Sequence, residues 1–216
     1  MRVSSGLPVT LIFAVLLLNG ACTPEAAPTA PAIPFANLKD DTLKDPDNAT
    51  RTFRIDFARV EQEFPLSRAD LAKLTPQNVA LLKQEEVDQI YGRLTAGPIP
   101  DGEARGTAII APGTPGSEAI AELINIFAWQ GKVFDAKAGI LQNHILPFGL
   151  KAIIARVYKA PSWLDGNECI VLDYSETSLV ASHVRDEIRQ IEAGFYLGKV
   201  YWDKARLIDF SLDFRT

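Results

Sequence analysis

Leu207-Ile208-Asp209-Phe210-Ser211-Leu212-Asp213-Phe214 alternates without a break. Ile208, Phe210, Leu212 and Phe214 fall on one side of an extended chain, and Asp209, Ser211 and Asp213 on the other. That is the pattern of a strand with one buried face and one wet face, and one-sided burial belongs to antiparallel sheets. Reading backwards, Asp203-Lys204 is a turn, and Phe195 to Trp202 (FYLGKVYW) follows Gly194 as a second strand. Cys169 to Tyr174 (CIVLDY) is a third, opened by the turn pair Asp165-Gly166, and Lys151 to Lys159 (KAIIARVYK) a fourth, ended by Ala160-Pro161. Gly106 to Ala111 and Lys132 to Phe134 are earlier strand candidates. Short strands joined by tight turns predict a meander that curls or closes into a small barrel.

The N-terminal part has a different texture. Residues 65–95 predict helix: Thr75-Pro76 is a start signal, and Val79, Leu82, Val87, Ile90, Tyr91 and Leu94 fall near helical spacing. Glu118 to Ala128 repeats the pattern, with Ser117 as cap and Ile120, Leu123, Ile124 and Phe127 on one face. These apolar faces should cover an open part of the domain. Ser182 to Ala193 reads both ways. Val184, Ile188 and Ile191 have helical spacing, whereas as a strand Val184, Asp186 and Ile188 face one side and Arg185, Glu187 and Arg189 the other. The predicted class is α+β, N-terminal helices followed by a curled antiparallel sheet or small β-barrel.

Before all this stands an export address. Arg2 precedes a 12-residue apolar run, Leu7 to Leu18, followed by Asn19, Gly20, Ala21 and Cys22. A spanning helix needs about 20 residues, so the run suits a cleaved signal. A cysteine directly after the cut resembles the bacterial lipoprotein signal, although the place three before it, usually aliphatic, holds Asn19. The resemblance implies acylation of Cys22 and, with Thr23 next, sorting to the outer membrane facing the periplasm. The alternative is an ordinary secretory peptide and release to the periplasm. Residues 1–21 are then signal, 22–35 a tether with four prolines among small residues, and 36–216 one folded domain, helical over 65–128 and β-rich over 129–216. Several acyl chains would make a stable membrane anchor. The chain carries 22 basic and 27 acidic groups, and Arg2 is the only charge lost with the signal. Acidity without a Lys/Arg cluster argues against nucleic acid.

Five phrases point further: Trp129-Gln130-Gly131-Lys132-Val133-Phe134, Ser162-Trp163-Leu164-Asp165-Gly166, Leu172-Asp173-Tyr174, Arg185-Asp186-Glu187-Ile188-Arg189 and Tyr196-Leu197-Gly198-Lys199-Val200-Tyr201. Together they resemble uncharacterised bacterial lipoproteins. Over residues 105–216 the chain is similar to the lipocalin-like (calycin) small barrels and to the small domains named for a GXWXG motif. In lipocalins a glycine precedes the tryptophan by two, whereas here Trp129 comes before Gly131. The resemblance implies a barrel with an interior, a ligand cavity or a filled core, and no enzyme chemistry. It also tips Val184 to Arg189 towards strand.

No catalytic constellation emerges. His144 and His183 are the two histidines, with no metal-ligand spacing between them, and no nucleophile elbow is present. Cys169 sits in an apolar run without an adjacent cation, the setting of an inert thiol. No cofactor is expected. The site candidates are polar groups on apolar strand faces: Arg156 between Ile154 and Tyr158, and Asp186 between Val184 and Ile188. A charge inside a barrel needs a partner. Arg156 and Asp186 would supply each other, with Tyr158, Tyr174 and Trp202 adding to the lining of an otherwise apolar pocket. If Ile153, Ala155 and Val157 form the buried face instead, Arg156 lies on the surface. Two functions follow: a non-enzymatic binder of a small apolar or amphipathic molecule, or a structural or assembly factor meeting another envelope protein through its helical half.

Overall fold

The C-terminal alternation does form a strand, and seven more join it in a closed ring. The computed structural model describes residues 26–37, 43–44, 52–53, 57–110, 132–143, 153–177 and 181–215. Cys22, the expected helix at 118–128 and His144 lie outside them. The ring runs through β3 (Gly102–Ile109), β4 (Lys132–Asp135), β5 (Ile140–Asn143), β6 (Ile153–Pro161), β7 (Glu168–Asp173), β8 (Val184–Glu192), β9 (Phe195–Trp202) and β10 (Ala205–Asp213). Each strand is antiparallel to the next, and β10 closes on β3 with Phe210 opposite Ala108 and Leu212 opposite Gly106. Earlier in the chain, β1 (Leu43–Lys44) and β2 (Thr52–Phe53) pair separately.

The expected turns are where the chain reverses. Asp203 and Lys204 both take positive φ, 46° and 71°, as a two-residue hairpin with the native twist requires. Gly166 and Gly194, at 78° and 76°, occupy conformations that favour glycine.

The helical part is smaller than expected. Among the described residues it consists of α1 (Phe57–Glu63), α2 (Arg68–Leu71), α3 (Pro76–Val79) and α4 (Gln84–Arg93). Local chemistry cuts it into pieces. Ser67 and Asp70 form one capping box and Thr75 and Asn78 another, each starting a new short helix. Even so, the predicted apolar residues Val79, Leu82, Val87, Ile90 and Tyr91 are all buried.

Among the described residues there are two cores. The inner one fills the barrel with the side chains of alternate positions, including Ala155, Val157, Leu172, Val184, Ile188, Val200, Ile208, Phe210 and Leu212. The outer one lies between the helices and one side of the barrel wall, where Ile90 and Tyr91 pack with Ile109, Ile191, Phe195 and Leu197. The chain before the helices is held there too. Ile33 and Phe35 pack on this core, and the Gln89 side chain both accepts from the Ala36 N–H (2.7 Å) and donates to its carbonyl oxygen (2.9 Å).

The second core corrects one expectation. Asp209 and Ser211 do face away from the barrel interior, but each is only 1% exposed, because helices cover that face. Asp209 joins a buried ionic network. Lys199 donates to Asp209 (2.9 Å) and to Asp88 of α4 (2.5 Å), Arg206 grips Asp88, and Gln84 donates to Asp209. The same covering explains the ambiguous segment 182–193. It is strand β8, and its outward Arg189 is buried, donating to both oxygens of Asp165 (2.7 Å each) and to the Tyr91 carbonyl oxygen (2.9 Å). Polar residues satisfied beneath helices hide the strand's period.

Candidate functional site

Strand alternation places Lys132 and Phe134 on the inner face of β4, and Val184, Asp186 and Ile188 on that of β8. In the ring order, β4 and β8 stand four strands apart, on opposite sides. Lys132 crosses the interior and donates from Nζ to Asp186 Oδ2 at 2.9 Å and to the Tyr174 hydroxyl at 2.8 Å. Tyr174, just past the end of β7, donates in turn to Asp186 Oδ2 at 3.2 Å. The Lys132 and Asp186 side chains are 5% and 1% exposed. Around Asp186 the described neighbours are hydrocarbon: Leu172 and Val200 are its cross-strand partners, and Val184 and Ile188 its neighbours along β8. The ammonium also stands 5.5 Å from the centre of the Tyr174 ring and 5.6 Å from that of Phe210.

Burial alone would push Lys132 towards losing its proton. The Asp186 carboxylate and then the Tyr174 hydroxyl more than reverse this, and the ammonium is held above the usual lysine range. A lysine kept protonated is not the depressed-pKa amine that a base or a Schiff-base nucleophile requires. The cluster can bind and orient a polar group. Its donors converge on one oxygen of Asp186; the other, Oδ1, is buried and accepts no hydrogen bond among the described residues.

The cluster has an end of its own. Because the strands alternate in direction, the C-terminal ends of β3, β5, β7 and β9 lie on the side of the barrel where Lys132 and Tyr174 lie. Towards the other end the interior is closed by aromatics. Phe214 meets Phe134 and Tyr196 edge-on, with ring centres 5.3 and 5.7 Å apart, and the Tyr196 hydroxyl donates to the Pro98 carbonyl oxygen at 2.9 Å.

Of the candidate lining residues, the structure brings Tyr174 and Asp186 together. Trp202, half-buried, packs against the inner core at the same end and stacks on His183 at 5.4 Å. Arg156 and Tyr158 are elsewhere. The inner face of β6 is Ile153, Ala155 and Val157, so Arg156 points out and pairs with Glu176 at 2.7 Å. Tyr158 is likewise on the outer wall, donating to Asp173 at 2.8 Å. The expected Arg156–Asp186 pair is therefore not formed, and Lys132 takes the place assigned to Arg156. Lys132 escaped notice because it opens a four-residue strand, where alternation is too short to be read. Its only signal was sharing a face with Phe134.

Two other features bear on function. An open groove of about 690 Å³ lies between the helical segments and the end of β8, lined among others by Arg68, Leu71, Arg93, Leu94, Gln190 and Ile191. Among the described residues no group of three or more His, Cys, Asp or Glu is placed to hold a metal ion.

No protein-family model matches this chain, and no curated protein does. Among solved structures, the crystal structure of a protein from Thermomonospora curvata is similar, at 14% sequence identity and a TM-score of 0.44, covering 62% of this chain and 88% of that one.

Proposed function

We propose that this is an envelope lipoprotein, anchored through acylated Cys22 in the outer membrane and facing the periplasm, whose lipocalin-like barrel binds a small apolar or amphipathic molecule. The observation that carries the binding reading is the Lys132–Tyr174–Asp186 cluster inside an otherwise apolar barrel. Stability does not call for it, since well-packed hydrophobic residues commonly serve as well as or better than a buried ion pair. A few convergent polar groups at one end of an apolar interior are the usual composition of a small-molecule site, and an eight-stranded barrel is wide enough for one small ligand. The anchor rests on the order Leu7–Leu18, Gly20, Ala21, Cys22 and on the proline-rich stretch after it.

Native mass spectrometry of protein purified without detergent tests the binding reading. A co-purifying small molecule, lost when Lys132 and Asp186 are both made apolar, is the expected result. Recovery of protein with no bound molecule, and no uptake from an envelope extract, would overturn it. The groove beside Arg93 and Leu94 favours the second reading, contact with another envelope protein through the helical part, which predicts partner loss on altering Leu71 and Leu94.

A further inference from the structure

We infer that the groove between α2, α4 and the end of β8 binds a small amphiphile carrying one negative charge, a carboxylate being the simplest. Its anionic head is set by Arg68 and Arg93, and its tail lies on Leu71, Leu94 and Ile191. The site is distinct from the barrel interior and stands whether or not the barrel holds a ligand. Its size suits the class: about 690 Å³ falls inside the range of small-molecule pockets, roughly 300–1,000 Å³. Leu94 and Ile191 belong to the outer core and Leu71 packs against it, so part of the lining is hydrocarbon.

Charge sets the sign of the ligand. Arg68 is exposed at the groove, and among the described residues its guanidinium makes no ion pair or hydrogen bond. Arg93 is half-buried and held by neutral groups. Its Nε donates to the Gln89 carbonyl oxygen at 2.9 Å and its Nη1 to that of Phe64, while Nη2 finds no acceptor among the described residues. Burial loosens its hold on the proton, to about 10, against a weaker pull from the acids Glu61 and Asp70. Asp70 is itself bound to Lys73 at 2.7 Å, and Glu192, the acid in the groove lining, pairs with Arg215 at 3.5 Å. Two cations thus line the groove with no described acid of their own. A single anion answers both. Arg68 can turn its fork of donors onto a carboxylate, and Arg93 acts through its charge, which burial leaves poorly screened. A second negative charge would be set against Glu192, and a cationic head against both arginines.

The test uses the chain from Thr23 to Thr216, which keeps every described residue, titrated at pH 7 with octanoate, 1-octanol, octylamine and acetate. Calorimetry gives the affinities, and amide NMR shifts give the place. Octanoate should bind about tenfold or more tighter than octanol, the usual worth of a hydrogen bond between charged partners, and octylamine should bind weakest of the octyl probes. Acetate should bind far more weakly than octanoate, because it covers none of the hydrocarbon. Shifts should centre on Leu71, Leu94 and residues 190–193, and added salt should weaken octanoate binding. Arg68→Glu, at an exposed position with no described partner to lose, should cut the preference for acid over alcohol by about fivefold or more. Equal binding of acid and alcohol, or a preference unchanged in Arg68→Glu, would overturn the inference. So would octanoate binding with shifts at Tyr174 and Asp186 instead, which would support the barrel reading. If no probe binds, the groove site falls and contact with a partner protein is left as the reading of that surface. Should Arg68→Glu not fold, the four probes on the unaltered chain still decide.

Discussion

Asp88→Ala should unfold this protein far more readily than its place on a surface helix would suggest. The carboxylate is fully buried and takes hydrogen bonds from Lys199 (2.5 Å) and from both terminal nitrogens of Arg206, one at 2.9 Å. Lys199 is equally buried and also reaches Asp209 at 2.9 Å. Among the described residues, two cations and two anions thus meet between α4 and the barrel wall, and removing Asp88 takes a buried carboxylate from Lys199 and Arg206 alike. Breaking a buried pair this way costs about 3–5 kcal/mol, a large share of the roughly 5–15 kcal/mol that holds a domain folded. Asp88→Leu with Lys199→Met restores the balance around Arg206 and Asp209 and should recover about half the loss. Urea unfolding at pH 7 measures both.

Acid provides an independent check on the same carboxylate. Burial pushes Asp88 upward, but Arg206 and then Lys199 outweigh it, so its pKa lies below the ordinary 3.8. Its contribution to stability is therefore complete above that ordinary value and is lost as pH falls through the depressed one. The unaltered protein should lose stability more steeply below pH 4 than Asp88→Ala, and the two curves should converge. A cost under about 1 kcal/mol at pH 7, where a buried pair demands several, would refute the network. So would parallel acid profiles.

Within the barrel, a Cβ at Gly198 would stand 2.3 Å from the Phe210 ring, so Gly198→Ala should cost about 1–3 kcal/mol by overpacking. Phe210→Ala should cost about 3–5 kcal/mol, and the double variant less than the sum; strict additivity by urea unfolding would deny the contact. Cys169, whose thiol is pushed up to about 12 chiefly by burial and then by Glu187, should resist a disulfide-exchange reagent at pH 8 until the protein unfolds; rapid labelling of native protein would contradict its place under the helices. Cys22→Ser should move the protein out of the membrane fraction and abolish palmitate incorporation; unchanged labelling would remove the anchor.

How far these features could be read from the chain depends on which physical quantity local sequence encodes. The inner face of β10 was legible because Ile208, Phe210, Leu212 and Phe214 differ from their neighbours, and the Asp203-Lys204 turn because its conformation is demanding. What alternation reports, however, is that two faces differ, not that one of them meets water. Asp209 and Arg189 are both polar and both buried, since helices from residues 57–93 cover that side of the wall, adding Gln84 and the Tyr91 carbonyl to the charged partners Lys199 and Asp165. Strand β5 has four residues, too few to show a period.

The site was half legible for a related reason. That Asp186 points inward and requires a cation followed from its place between Val184 and Ile188. Which cation did not follow, because a strand-by-strand reading treats the sheet as flat and looks for partners on nearby strands, where Arg156 qualifies. Closure changes the geometry of neighbourhood. Once β10 pairs with β3, β4 and β8 face each other across the interior, and a lysine 54 residues upstream becomes the group that reaches the acid. The contact exists only because the ring is closed. Any substitution that opened the β10–β3 seam would therefore separate Lys132 from Asp186 while leaving every strand beside them intact.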